Sequence, residues 1–183
     1  DNKYLVGKSD TKSDNFDILH FASRDIKKIK IPSNIKIISS YAFDHCEKLS
    51  EIEIPIDSNL EIIGEHAFES TDIEQINIPS SVTKIDEYAF YFCHSIKKIE
   101  IPTNSKLQIV CNFAFANTYI KQLYIPESLI ELKEGWCGHT KALKTLIISP
   151  LNDRFIFKDD KYLFGKSDIK SDNFDILVFL NPD

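Results

Sequence analysis

Residues 79–96 read Pro-Ser-Ser-Val-Thr-Lys-Ile-Asp-Glu-Tyr-Ala-Phe-Tyr-Phe-Cys-His-Ser-Ile, and this pattern recurs along the chain. Prolines stand at 32, 55, 79, 102, 126 and 150, spaced by 23, 24, 23, 24 and 24 residues. A short alternating apolar run precedes each: Ile29-Lys30-Ile31, Ile52-Glu53-Ile54, Ile76-Asn77-Ile78, Ile99-Glu100-Ile101 and Leu123-Tyr124-Ile125. In the sixth, Leu146-Ile147-Ile148, Ser149 intervenes before the proline. Alternation predicts a strand, and proline marks where that strand stops donating hydrogen bonds.

A second apolar step follows each proline (Ile35/Ile37, Leu60/Ile62, Val82/Ile85, Leu107/Ile109), and then an Ala-Phe pair: Ala42-Phe43, Ala67-Phe68, Ala89-Phe90, Ala114-Phe115. Three residues beyond each Phe sits Cys46, Thr71, Cys93 or Thr118. A period of 20 to 29 residues with one strand per repeat is the leucine-rich-repeat signature. One coil cannot bury its apolar side alone, so coils stack about 4.8 Å apart and equivalent residues form ladders. Phe43, Phe68, Phe90 and Phe115 are expected to form one buried column, with Cys46, Thr71, Cys93 and Thr118 in another.

The expected fold is an α/β repeat: a leucine-rich-repeat solenoid with a parallel strand per coil and short helical or 3-10 turns opposite. Repeats near Ser50 and Lys97 carry two extra residues between Pro and Phe, so the deeper unit is a pair of coils 47 residues long. The fifth repeat departs, reading Trp136-Cys137 where Ala-Phe is expected. Volume exchange explains this best, since large aromatics prefer burial; an exposed Trp anchor is the alternative.

A longer repeat encloses the short one. Lys-Tyr-Leu-x-Gly-Lys-Ser-Asp-x-Lys-Ser-Asp-Asn-Phe-Asp-Ile-Leu occurs at residues 3–19 and again at 161–177, offset by 158. The chain divides into a linker segment of a preceding block (1–25), five repeats of 23–24 residues (26–143), and a variant repeat with a linker that repeats 1–25 (144–183). Within the last segment a hairpin is expected, turning at Asp159-Asp160. A start at Asp1 without Met, and ends without polar caps, are expected of a piece cut from a tandem array.

The pattern Ile-x-Ile-Pro-x-x-(Val/Ile)-x-x-Ile-x-x-x-Ala-Phe-x-x-Cys-x-x-(Leu/Ile) resembles the BspA-like leucine-rich repeats. The Gly-Lys-Ser-Asp-x-Lys-Ser-Asp-Asn-Phe-Asp-Ile-Leu segment resembles a linker of the family's expanded branch in trichomonad parasites. The resemblance implies a cell-surface or secreted protein used in adhesion, host contact or assembly, and it transfers no catalytic residue.

Net charge is −6, with Lys interleaved among Asp and Glu. No basic stripe marks a nucleic-acid partner. No apolar run is long enough for membrane insertion within this segment. His20, His45, His66, His94 and His139 lack metal-ligand spacing and read as solvated turn residues. Asp168, Asp172, Asp175 and Asn173 cluster in the linker, but Lys170 interrupts any calcium-loop pattern. All four cysteines read as free thiols; Cys46 and Cys93, two coils apart, are beyond disulfide reach. No catalytic residue and no cofactor are expected, and the chain is read as not an enzyme.

Two functions remain: a module binding a protein or cell-surface ligand, or a structural unit assembling with further copies of itself end to end. In the first, the residues alternating with the buried Ile on the concave strand face are the candidates. They grow less charged toward one end, which singles out Lys98, Glu100, Gln122, Tyr124, Thr145 and Ile147.

Overall fold

The structure, a computed structural model, describes residues 3–12, 14–159, 161–168 and 170–180. It is a parallel β-solenoid whose every full coil has three sides. The runs before the prolines form β3 (Lys28–Lys30), β5 (Glu51–Glu53), β7 (Gln75–Asn77), β9 (Lys98–Glu100), β11 (Gln122–Ile125) and β13 (Thr145–Ile148). They stack in parallel register, with Ile29 on Ile52, Ile76 on Ile99 and Leu123 on Leu146.

The apolar step after each proline makes a second parallel sheet, so each coil carries two strands. These are β4 (Ile37–Ile38), β6 (Ile62–Ile63), β8 (Lys84–Ile85), β10 (Ile109–Val110) and β12 (Glu131–Leu132). Their buried residues are Ile38, Ile63, Ile85 and Val110. In three coils this is one position beyond the Ile37, Ile62 and Ile109 expected from the sequence, which are half-buried. Each strand is only two residues long, and residues on a strand alternate faces, so the adjacent Ile points away from the core.

The third side corrects an expectation. No helix or 3-10 turn is present among the described residues. Instead, alternate N–H groups donate to the next coil: Tyr41, Phe43 and His45 to the carbonyls of Glu65, Ala67 and Glu69 at 2.8–2.9 Å. The residues between them close local turns, Ala42 N to Ser39 O and Asp44 N to Tyr41 O. A helix would spend every N–H inside its own coil. This side therefore kinks through left-handed residues at two ladder positions: Tyr41, His66, Tyr88, Phe113 and Gly135 in one, His45, Ser70, Phe92, Asn117 and His139 in the other. Each non-glycine residue there costs about 1 kcal/mol or more, which the inter-coil hydrogen bonds and ring stacking offset.

The Phe column forms as expected. Phe43, Phe68, Phe90 and Phe115 are fully buried, and successive ring centroids lie 5.0, 5.2 and 5.7 Å apart. Cys46, Thr71, Cys93 and Thr118 are buried beside it. The Thr71 hydroxyl donates to Phe68 O at 2.9 Å and that of Thr118 to Phe115 O at 2.8 Å, which satisfies both polar groups in the core. The 47-residue unit also repeats in its hydrogen bonding. Ser81 Oγ bridges the carbonyls of Ser58 and Leu60, as Ser128 Oγ bridges those of Ser105 and Leu107.

The duplicated segments fold alike. β1 (Tyr4–Gly7) pairs antiparallel with β2 (Ile18–Ala22), and β15 (Tyr162–Gly165) with β16 (Ile176–Leu180). Every pairing is shifted by 158 residues, including the bulge after Leu5 and after Leu163. In both, a Ser anchors the returning strand: Ser9 gives its N–H (2.7 Å) and hydroxyl (2.5 Å) to Asp17, and Ser167 gives its own (2.8 and 2.5 Å) to Asp175. β14 (Phe155–Lys158) and β15 form the expected hairpin. Asp159 is left-handed and Lys161 N bonds Lys158 O at 3.1 Å, while Asp160 lies outside the described residues.

Two outcomes test this account. Phe90→Ala is expected to lower stability by about 3–5 kcal/mol, as a large-to-small change in a packed column, measured by urea unfolding. The Ser9 hydrogen bonds hold the Asp17 carboxyl below its ordinary value, as those of Ser167 do for Asp175. Each therefore stabilises its hairpin above the ordinary carboxylate pKa, and that contribution is lost as pH falls through the lowered folded value. Ser9→Ala is expected to raise the pH at which the β1 amides lose protection from hydrogen exchange, with β15 unchanged.

Candidate interaction surface on the strand face

Each outward side chain on the strand face is fixed by the pairing of its strand. Ile29, Ile76, Ile99, Leu123 and Leu146 point inward and are buried, so the flanking residues face out. At the first coils these are charges in register: Lys28 meets Glu51 at 2.5 Å and Lys30 meets Glu53 at 2.5 Å. Both pairs are exposed and screened, worth a few tenths of a kcal/mol. They line one shallow depression of about 760 Å3 with Lys97 and Lys98.

A second depression, about 690 Å3, lies further along the same face. Of the six candidates named from the sequence, Lys98, Glu100, Gln122, Tyr124 and Ile147 line it, and Thr145 is exposed beside it on β13. Lys98 and Glu100 form an ion pair within β9, which leaves neither charge isolated. Tyr124 stacks in register on Ile147, and Gln122 on Thr145.

The sequence reading missed the other wall. Pro55, Pro79 and Pro102 stack where three strands end, and Ile56 beside them is 91% exposed. The prolines read only as strand stops. The signal for Ile56 was an apolar residue in the inserted loop Ile56-Asp57-Ser58, where packing does not call for one.

Other sequence features take structural roles. Trp136 is buried, packed edge-on against Phe115 and tilted against Phe179, so it continues the Phe column and is no exposed anchor. Cys137 is buried in the vacated Phe place. His66 differs from a simply solvated turn residue: it is stacked between Tyr41 and Tyr88 at 4.8 and 4.7 Å, with Phe113 beyond Tyr88 at 5.3 Å. This outer ladder stops at Gly135, whose missing Cβ leaves room for the Phe113 ring. His45 is raised above its ordinary pKa by the hydrogen bond it donates to the Asp44 carboxylate. Among the described residues, no group of three His, Cys, Asp or Glu side chains could hold a metal ion. No helix there is long and apolar enough to cross a membrane.

The profile of the BspA type leucine rich repeat region matches residues 17–144 in six copies. The chain belongs to the BspA-type leucine-rich-repeat family. Among solved structures it is similar to the pneumococcal vaccine antigen PcpA, at 32% identity and a TM-score of 0.72, over 76% of this chain and 34% of that one. It also resembles the leucine rich repeat protein TpLRR of T. pallidum (19% identity, TM-score 0.67, 80% of this chain and 79% of that one). A third is a leucine rich cell surface protein from Faecalibacterium prausnitzii (18% identity, TM-score 0.59, 90% and 50%). The BspA-type chain thus spans about a third of PcpA's length and half of the Faecalibacterium protein's. No curated protein is significantly similar in sequence.

All four cysteines are free and buried. Burial pushes the thiols of Cys93 and Cys111 up to about 11 and that of Cys137 well above its ordinary value. A disulfide exchange reagent at neutral pH is accordingly expected to label the folded chain slowly, and all four thiols rapidly in denaturant.

Proposed function

We propose that this chain is a non-enzymatic protein-binding module of a surface or secreted BspA-type protein, and that it meets its partner on the strand face. The observation carrying this is the second depression. Tyr124, Ile147, Ile56 and three prolines gather there on a face otherwise laced with charge. Aromatic and aliphatic groups inside a polar rim are the composition of a desolvated contact. Ile56 and Ile147 are the exposed apolar groups among them, and such groups left together on a stable fold mark interaction sites. Family membership supports a binding role, and the likeness to a vaccine antigen supports accessibility at a cell surface. The trichomonad-type branch rests on the duplicated linker sequence alone, and the similar structures named above are bacterial.

A second reading is a structural unit that assembles end to end into a rod. It is favoured by the two hairpins, which have one register and one anchoring Ser–Asp pair.

The strand-face reading is tested by a triple variant, Lys98→Glu, Glu100→Lys and Tyr124→Ala. Beads carrying it are expected to lose most of the attachment to cells or matrix proteins that the unaltered chain shows. Attachment retained by a folded triple variant would move the site elsewhere, first to the linker loop at residues 166–175.

A further inference from the structure

The two hairpins are one element seen from opposite sides. Leu5 is 60% exposed on β1, while its equivalent Leu163 is fully buried, because β14 pairs with β15. Leu19 on β2 is fully buried, while its equivalent Leu177 on β16 is 53% exposed. The reason is again a neighbour: β2 pairs in parallel with β4, Ile18 on Ile37 and Leu19 on Ile38. Each hairpin therefore shows the face that the other one buries.

The contact that buries Leu19 is built mostly from main chain. Lys36 N and Ile37 N donate to Asp17 O at 2.7 and 3.2 Å, and Ser39 N donates to Leu19 O at 2.9 Å. Ala22 N closes the far end on Ala42 O at 2.9 Å, and Asn34 Nδ2 reaches Phe16 O at 2.6 Å. At the other hairpin Phe174, Asp175 and Leu177 bring the corresponding carbonyls on a strand of the same register. The side chains above them match too: Lys166 lies over the Phe174 ring at 5.1 Å, as Lys8 does over Phe16. Two side chains differ: His20, which bonds Ser39 Oγ at 3.1 Å, is replaced by Val178, and the buried Ala22 is replaced by Leu180.

We propose that β16 is a docking edge for a second copy of this chain. It seats that copy's first coil, residues 26–49, with Ile176 on Ile37 and Leu177 on Ile38. Among the described residues β16 pairs only with β15; a strand edge with apolar side chains templates further pairing, and here the template for the occupant lies within the molecule. The coil is already covered by its own β1–β2 hairpin at high effective concentration. Docking is therefore an exchange, in which the incoming β15–β16 hairpin replaces the resident one. Repeated from copy to copy, this contact is head-to-tail and leaves an open end at each step. The inference rests on the rod reading and is independent of the strand-face site.

The experiment is sedimentation velocity of the full chain across a wide concentration range, with far-ultraviolet circular dichroism as the fold control. The unaltered chain is expected to be mainly monomeric. Leu19→Asp unseats the resident hairpin and is expected to give oligomers that grow with concentration. Adding Leu177→Asp to the same chain is expected to return it to monomer. Asp17→Ala, which cuts the Ser9 anchor and the Lys36 contact at 3.6 Å while leaving Leu19 in place, opens the edge more gently. It is expected to give the same oligomers should Leu19→Asp lose its fold. Oligomers that persist in the Leu19→Asp, Leu177→Asp chain overturn this junction and leave the rod reading standing. Monomers in both folded single variants, Leu19→Asp and Asp17→Ala, overturn the junction and the rod reading together.

Discussion

Every coil has to satisfy its backbone on the next one. The chain has no helix among its described residues and no strand longer than five, so its hydrogen bonds run between coils on all three sides. Buried backbone groups left unpaired cost free energy. The demand for partners, more than any one side-chain contact, sets the spacing of the stack. That spacing, about 4.8 Å, suits aromatic rings lying face to face. The Phe43 column inside and the Tyr41–His66–Tyr88–Phe113 column outside both follow from it.

The same constraint explains the irregular fifth coil. The inner column ends where Phe gives way to Cys137, and Trp136 swings in to cover Phe115 edge-on. The outer column ends two residues earlier, at left-handed Gly135. Beyond this coil the chain abandons the turn side and crosses into the β14–β15–β16 sheet, whose Phe179 packs on Trp136. Coil five is thus where the solenoid hands over to the hairpin.

Function separates from this scaffold because the scaffold uses only inward positions. Outward residues on the strand face are free to vary, and they change from paired Lys and Glu at the first coils to Tyr124 and Ile147 at the last. The prolines belong to both worlds. They end the strands for backbone reasons, and by stacking in register they build one wall of the second depression.

The period, the strand before each proline, the Phe and Cys/Thr columns and the 158-residue duplication were all legible in the sequence. Each depends on identity at fixed spacing, and stacking turns equal spacing directly into contact. The outward direction of Lys98, Glu100, Gln122 and Tyr124 was legible for the same reason, since side chains alternate along a strand. Three things were decided only by the folded coil. The third side avoided helix because its N–H groups bond across coils, a preference that no residue on that side announces. The post-proline strands shifted by one residue in three coils, because adjacent apolar residues (Ile37-Ile38, Ile62-Ile63 and Ile109-Val110) look alike until one member must face the core. The wall of Pro55, Pro79, Pro102 and Ile56 came together from separate repeats, and which exposed residues share a depression follows from three-dimensional curvature rather than from local pattern.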